Sequence, residues 1–230
     1  MRRLGLLGGT FDPIHYGHLD AAKAAFTSLG LDQVRLMPAH DPPHRPADPH
    51  ASAFHRFAMV SLAIAAEPWM TASDQELRRT GGPSYTIDTL RALHAEGWIA
   101  SQIFFILGAD AFAEIASWRA YPSVLDDANF AVIARPGVTI ATAAARVPEL
   151  ASRMQQASPA ATGGSVPAIF LVEARTRDVS STQIRARLTA RESIDDLVPP
   201  AVARHIVRHQ LYGAVDHLHG KDARISSQGA

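Results

Sequence analysis

Short, nearly unbroken apolar runs alternate along the chain with longer stretches in which apolar residues recur every three or four positions. The runs at 3–7, 33–37, 69–72, 103–107, 130–134 and 169–172 read as strands. The stretches at 17–29, 52–66, 86–96, 111–115, 182–189 and 200–209 read as helices. Apolar runs without polar alternation fit strands buried on both faces. Strands that alternate with helices predict βαβ units. The expected fold is α/β, a doubly wound parallel sheet with helices on both faces. Ligands of such sheets collect at the carboxyl ends of the strands, near the point where strand order reverses. The segments 8–18, 38–45, 108–110 and 134–137 all follow predicted strands and can converge on one crevice.

Two stretches escape this alternation. Residues 141–167, rich in Ala, Ser and Gly, read as an extension, with a helix reaching Gln156 and a loop after it. Residues 214–230 are polar and aperiodic, which predicts a disordered tail behind a single domain over 1–213. No internal repeat is present.

Composition narrows the partners. Lys+Arg and Asp+Glu number 22 each, so no global basic field draws in nucleic acid, and any anion site must be local. The absence of cysteine excludes disulfides and thiolate metal sites. Arg2-Arg3 precedes too short an apolar run for a signal segment, and no run approaches the ~18 residues of a membrane helix. No membrane partner and a cytoplasmic location are expected. Eleven histidines are present, seven before residue 95, and most read as solvated rings.

The densest chemistry lies in Gly8-Gly9-Thr10-Phe11-Asp12-Pro13-Ile14-His15-Tyr16-Gly17-His18. A strand ends in paired glycines, which permit close backbone approach to a ligand. A helix then starts, and its free N–H groups favour anionic oxygens. His15 and His18, three apart, share one face of that first turn. Together these describe a phosphate site. A zinc pair is the competing reading, but it lacks a third and fourth ligand; Asp12 could serve, yet Pro13 stiffens the turn between them. No metal ligand is assigned.

That motif resembles the N-terminal signature of the HxGH nucleotidyltransferases. Within that superfamily the chain is similar to the bacterial nicotinate-nucleotide adenylyltransferases. The narrower match rests on Pro42-Pro43-His44-Arg45, on Gly82-Pro83-Ser84-Tyr85-Thr86-Ile87-Asp88-Thr89-Leu90 and on Leu107-Gly108-Ala109-Asp110. Val179-Ser180-Ser181-Thr182-Gln183-Ile184-Arg185 resembles the second phosphate motif, and the matches run in order from residue 4 to about 213. The resemblance implies a Rossmann-like nucleotidyltransferase fold and transfer of AMP from ATP to nicotinate mononucleotide, giving nicotinate adenine dinucleotide and pyrophosphate in NAD biosynthesis.

Adenylyl transfer brings two anions together, so the protein's task is positioning and charge neutralisation, without a nucleophilic residue. By resemblance His15 and His18 are catalytic, with Gly8, Gly9, Thr10 and Phe11 binding ATP through the turn; the Phe11 side chain reads equally as core. Ser180, Ser181 and Thr182 cap the next helix, and the same groups can meet phosphate. Arg185 lies one turn on. Asp110 reads as an N-cap, and the family places a ribose-binding aspartate there beside the Gly108 amide. Arg135 is placed near the ATP, with a surface arginine as its competitor. On the acceptor side the resemblance implies Ser84, Tyr85, Thr86 and a stacking Trp118, with Arg45 where relatives carry a phosphate-contacting lysine. His40, His44 and His50 share a proline-rich loop that reads as exposed, with metal binding as the rarer alternative.

Mg²⁺ is the expected cofactor, carried by the nucleotide phosphates. The alternatives are nicotinamide mononucleotide as preferred acceptor, a phosphopantetheine acceptor, or a non-catalytic ATP sensor. Acid-versus-amide preference and oligomeric state are not written in the residues.

Overall fold

The computed structural model describes residues 2–42, 48–79, 82–134, 145–159 and 166–214. Seven parallel strands form one sheet: β1 (Leu4–Gly9), β2 (Gln33–Pro38), β3 (Met70–Ala72), β4 (Ile103–Gly108), β5 (Asn129–Ala134), β6 (Met154–Gln156) and β7 (Ile169–Glu173). Their spatial order is β3-β2-β1-β4-β5-β7-β6. The chain builds outward from β1 in one direction, returns, and builds outward from β4 in the other. The doubly wound expectation holds, and the reversal falls between β1 and β4.

Both faces of the sheet are covered. Helices α1 (Tyr16–Leu29), α2 (Ala53–Ala63), α5 (Ser181–Thr189) and α6 (Pro200–Arg208) contribute to a core built on Leu7, Val34, Leu36, Phe104, Ile106, Ala131, Ile133, Phe170 and Val172. Helices α3 (Thr86–Ala95) and α4 (Ala109–Ala113) pack on the opposite face against Leu4, Leu6, Phe105, Leu107, Phe130, Val132, Ile169 and Leu171. Alternate residues of one strand thus feed two separate cores, which explains the unbroken apolar runs. No helix among the described residues is long and apolar enough to cross a membrane.

Local chemistry fixes the ends. Gly30 closes α1 in the left-handed region (φ 58°, ψ 47°), and its N–H reaches the Phe26 carbonyl. Ser52 and Ser180 cap α2 and α5 by accepting from the amides of His55 and Gln183.

The extension departs from its reading. The helix expected to reach Gln156 is absent there: Pro148–Arg153 is a 3₁₀ turn and Met154–Gln156 is an edge strand beside β7. Val147 and Leu150 bury in the core, and Arg153 donates to the Leu125 and Pro167 carbonyls. Tertiary hydrogen bonds and sheet pairing override the alanine-rich helical bias. Helix α4 starts at Ala109, two residues earlier than expected, and α2 ends at Ala63, three earlier. The expected tail beyond residue 214 lies outside the described residues.

Candidate functional site

The carboxyl ends of β1 and β4, on either side of the reversal, open into a cleft of about 430 Å³. Gly8, Gly9, Thr10, His15, His18, Gly108, Ser84, Thr86 and Trp118, all singled out in the sequence, line it. Segments more than a hundred residues apart therefore share one space.

One end is made by the turn after β1. Phe11 sits at φ 50°, a left-handed conformation that costs a non-glycine residue of order 1 kcal/mol. Its ring is buried in the core and stands edge-on to His18, centroids 5.0 Å apart. Of the open readings, core aromatic fits the side chain. His15 precedes α1 in extended backbone and donates its N–H to His18 Nδ1 at 3.3 Å. A neutral His18 accepting at Nδ1 carries its proton on Nε2, and is a donor there. The two rings stack at 3.7 Å and 28°. Gly17 completes the turn for a steric reason. A Cβ there would lie 3.1 Å from His15 Nδ1 and 3.2 Å from the Arg177 carbonyl oxygen, so its absence lets the loop before α5 press onto α1.

That turn is held by a buried polar frame the sequence did not reveal. Arg56 is 1% exposed and donates to the carbonyls of Thr10 (2.8 Å), Ala39 (2.7 Å) and Ala51 (3.3 Å). Asp12, fully buried, accepts from the amides of His50 (2.8 Å) and Ala51 (3.0 Å), from the Tyr212 hydroxyl (2.9 Å) and from the His50 ring (3.2 Å). Burial opposes its charge, but these hydrogen bonds outweigh it and hold the carboxyl below the ordinary carboxylate range. Burial and the facing Asp12 carboxylate push the Tyr212 hydroxyl far up, so it stays a donor. Asp12 is thereby committed to the frame rather than to a metal with the histidines. Among the described residues, no group of three His, Asp or Glu could hold a metal ion.

The second phosphate motif meets the first by direct bonds. Ser181 Oγ donates to the Pro13 carbonyl at 2.9 Å, and Arg185 Nη1 to the Asp12 carbonyl at 2.7 Å. Arg185 Nη2 also reaches Thr182 Oγ1 at 3.2 Å. Ser180 caps α5 through its hydroxyl. These residues brace the His15–His18 turn from behind, although they do not themselves line the cleft. Arg177 and Asp178, unsuspected in the sequence, do line it. Arg177 forms a bidentate pair with Asp20 (2.9 Å to each oxygen) and its guanidinium lies 3.7 Å over the Tyr16 ring, tying the α5 loop to α1.

The other end is aromatic and hydroxylic. Trp118 follows the Ile115–Ser117 3₁₀ turn and stands edge-on to Phe105, centroids 5.7 Å apart, with part of its surface on the cleft. Ser84 and Thr86 flank Tyr85, which precedes α3; the Arg119 guanidinium lies 4.6 Å over the Tyr85 ring. Asp110 differs from its reading as a cap: Gly108 precedes α4, and exposed Asp110 sits in its first turn, where an acid complements the helix dipole. Glu76, also unsuspected, is 7% exposed on the cleft wall. Arg45 and Arg135 lie outside the described residues.

Similarity to known proteins agrees with this geometry. A family described as cytidylyltransferase-like matches residues 6–187. A protein of Chromobacterium violaceum named "Probable nicotinate-nucleotide adenylyltransferase" is 42% identical, over 91% of this chain and 98% of the relative. One of the same name from Serratia proteamaculans is 41% identical, over 90% of this chain and 94% of its own. Plasmodium falciparum nicotinic acid mononucleotide adenylyltransferase, solved with NaAD, shares the fold with a TM-score of 0.69 at 17% identity, over 94% of this chain and 99% of that one. The same enzyme solved with APC gives a TM-score of 0.70. From its paired histidines to its doubly wound sheet, the chain belongs to the cytidylyltransferase-like nucleotidyltransferases, in the nicotinate-nucleotide adenylyltransferase family.

Proposed function

We propose that the chain transfers AMP from ATP to nicotinate mononucleotide, forming nicotinate adenine dinucleotide and releasing pyrophosphate. One observation carries the reading: a single cleft is lined at one end by the stacked His15 and His18 and at the other by Trp118, Ser84 and Thr86. An adenylyltransferase needs that continuity, because the acceptor phosphate must lie in line with the α-phosphorus and its leaving group.

The ATP phosphates take the glycine turn and the start of α1, where backbone N–H groups face an anion. His15 and His18 donate to the phosphates as charge builds on departing pyrophosphate. Gly108 and Asp110 take the ribose. The acceptor ring lies against Trp118, bounded by Tyr85 and Thr86, with its phosphate pointing towards the histidines. Attack is direct, with no covalent enzyme intermediate. Mg²⁺ bound with the ATP phosphates would supply neutralisation of their charge, while the chain's own groups do the positioning. The reaction is assigned to the cytoplasm.

Pyrophosphate release with ATP and Mg²⁺ tests the reading, with nicotinate mononucleotide, nicotinamide mononucleotide and phosphopantetheine compared as acceptors. Preference for the nicotinate form is expected. Preference for the amide overturns the acceptor, and ATP binding without release from any of them overturns the reaction.

A further inference from the structure

Asp20 lies one turn into α1, and the proposed chemistry does not use it. Its carboxylate takes hold of a single residue three times. Oδ2 accepts from the Arg177 amide (3.0 Å) and from Arg177 Nε (2.9 Å), while Oδ1 accepts from Arg177 Nη2 (2.9 Å). The same guanidinium lies 3.7 Å over the ring of Tyr16, one turn earlier on the same face of the helix. The Arg177 carbonyl accepts from the Val179 amide at 3.0 Å, and it stands so near Gly17 that a Cβ there would lie 3.2 Å away. Amide, carbonyl and side chain of Arg177 are therefore all fixed. Thr176, Arg177, Asp178 and Val179 make one continuous stretch of the cleft wall, together with Gly17, His18 and Ala21 of α1. That stretch belongs to the histidine end.

We propose that Asp20 is a positioning residue for ATP: through its three bonds to Arg177 it holds residues 176–179 against α1, and so sets the wall that the nucleotide meets beside the histidines. The proposal rests on the placement of ATP given above. Asp20 acts through Arg177, which reaches the cleft. A carboxylate and a guanidinium suit the task, because the two planar groups lock in one relative orientation.

Folding gains little from such a pair. The Arg177 side chain is 49% exposed and that of Asp20 22%, and ion pairs open to water contribute weakly to stability. Burial opposes the Asp20 charge, but the bonds and charge of Arg177 outweigh it and hold the carboxyl below the ordinary carboxylate range, so the clamp is closed at neutral pH. A cation serving the ATP phosphates directly is the competing role for Arg177, and the two roles differ in sign. Removing Asp20 would free such a cation and tighten ATP. Removing the clamp that sets the wall weakens it.

The test is Asp20→Ala, with Arg177→Ala and Arg177→Lys beside it. In Asp20→Ala the ATP KM, and the ATP dissociation constant measured with Mg²⁺ but no acceptor, should both rise about tenfold, the scale on which small misplacement of a bound group acts. The acceptor KM should be unchanged, and the melting temperature should fall by no more than about 4 °C. Arg177→Lys keeps the charge without the fork and should behave like Arg177→Ala. The double alanine variant should be no worse than the worse single one. Faster hydrogen exchange at the Arg177 and Val179 amides of Asp20→Ala, measured without ligand, should accompany the loss. ATP bound by Asp20→Ala as tightly as by the wild type, or more tightly, overturns the proposal. So do both KM values rising together with a larger fall in melting temperature. Wild-type turnover is read in the same assay and tests the function separately. A wild type that binds ATP without turnover ends the functional reading and leaves the dissociation constants to decide on Asp20; one that binds no ATP overturns both.

Discussion

The two ends of the cleft are built by different means. The histidine end is held by charged groups sunk in the protein: Arg56 on the carbonyls of Thr10, Ala39, His40 and Ala51, Asp12 on four hydrogen bonds, Arg185 across to the Asp12 carbonyl. The acceptor end is held by hydroxyls, one carboxylate and aromatic edges near the surface of α3 and α4. Buried charges tolerate almost no rearrangement, because a partner left behind keeps its desolvation cost. Hydroxyl and ring contacts cost less to change. Under the proposed function, that contrast puts fixed geometry at the phosphates and adjustable geometry at the acceptor.

Substitutions should separate the two ends. The largest effect is expected from His18→Ala, which on the proposed function removes a donor to developing charge. Turnover should fall about 10²–10³-fold with the fold intact, and wild-type kcat in a folded variant would break the assignment of chemistry to that end. Arg56→Met should come next, leaving four carbonyls without their cation. A loss of about 3 kcal/mol in denaturant unfolding is expected, and a loss below about 1 kcal/mol would mean the frame is not what holds the turn. Trp118→Ala should act on the other end alone. An acceptor KM raised about tenfold, with the ATP KM untouched, fits the removal of one aromatic face; equal changes in both would erase the distinction between the ends.

The smallest effect should come with acid. His55 Nδ1 and His205 Nε2 lie 3.1 Å apart between α2 and α6, so one must donate and the other accept. Burial first, then His209, His55 and Arg208, hold His205 below its ordinary 6.5. The fold binds that proton less tightly than the unfolded chain, so stability is lost as pH falls below about 6.5. Melting temperatures at pH 7.5 and 5.5 should show the decline, and His205→Asn should flatten it. An equally steep decline in the variant would point to another group. Because α2 also carries Arg56, acid should loosen the histidine end first.

Legibility in the sequence followed the range of the interactions. The apolar runs disclosed six of the seven strands: β4 and β5 are buried along almost their whole length, while β2 keeps Arg35 and β3 exposes Thr71 within otherwise apolar runs. The seventh, Met154–Gln156, is short and mostly polar, and pairs alongside β7. His15, His18 and the turn between them were readable because one helix start collects all their chemistry. Arg56 left a faint trace, a charged residue in helical register with buried Met59 and Val60. Glu76, Tyr212 and the Asp20–Arg177 pair left none. Their partners lie 13, 200 and 157 residues away, and no local pattern encodes such distances.

The bond from Tyr212 to Asp12 spans 200 positions. During synthesis Asp12 emerges 200 residues ahead of Tyr212, and at about 5–20 residues per second that partner follows some tens of seconds later. Throughout that interval a carboxylate destined for full burial lacks the hydroxyl that helps to keep it there. A nascent chain can therefore form much of its sheet before the histidine turn is secured, and the turn acquires this support only once Tyr212 has emerged.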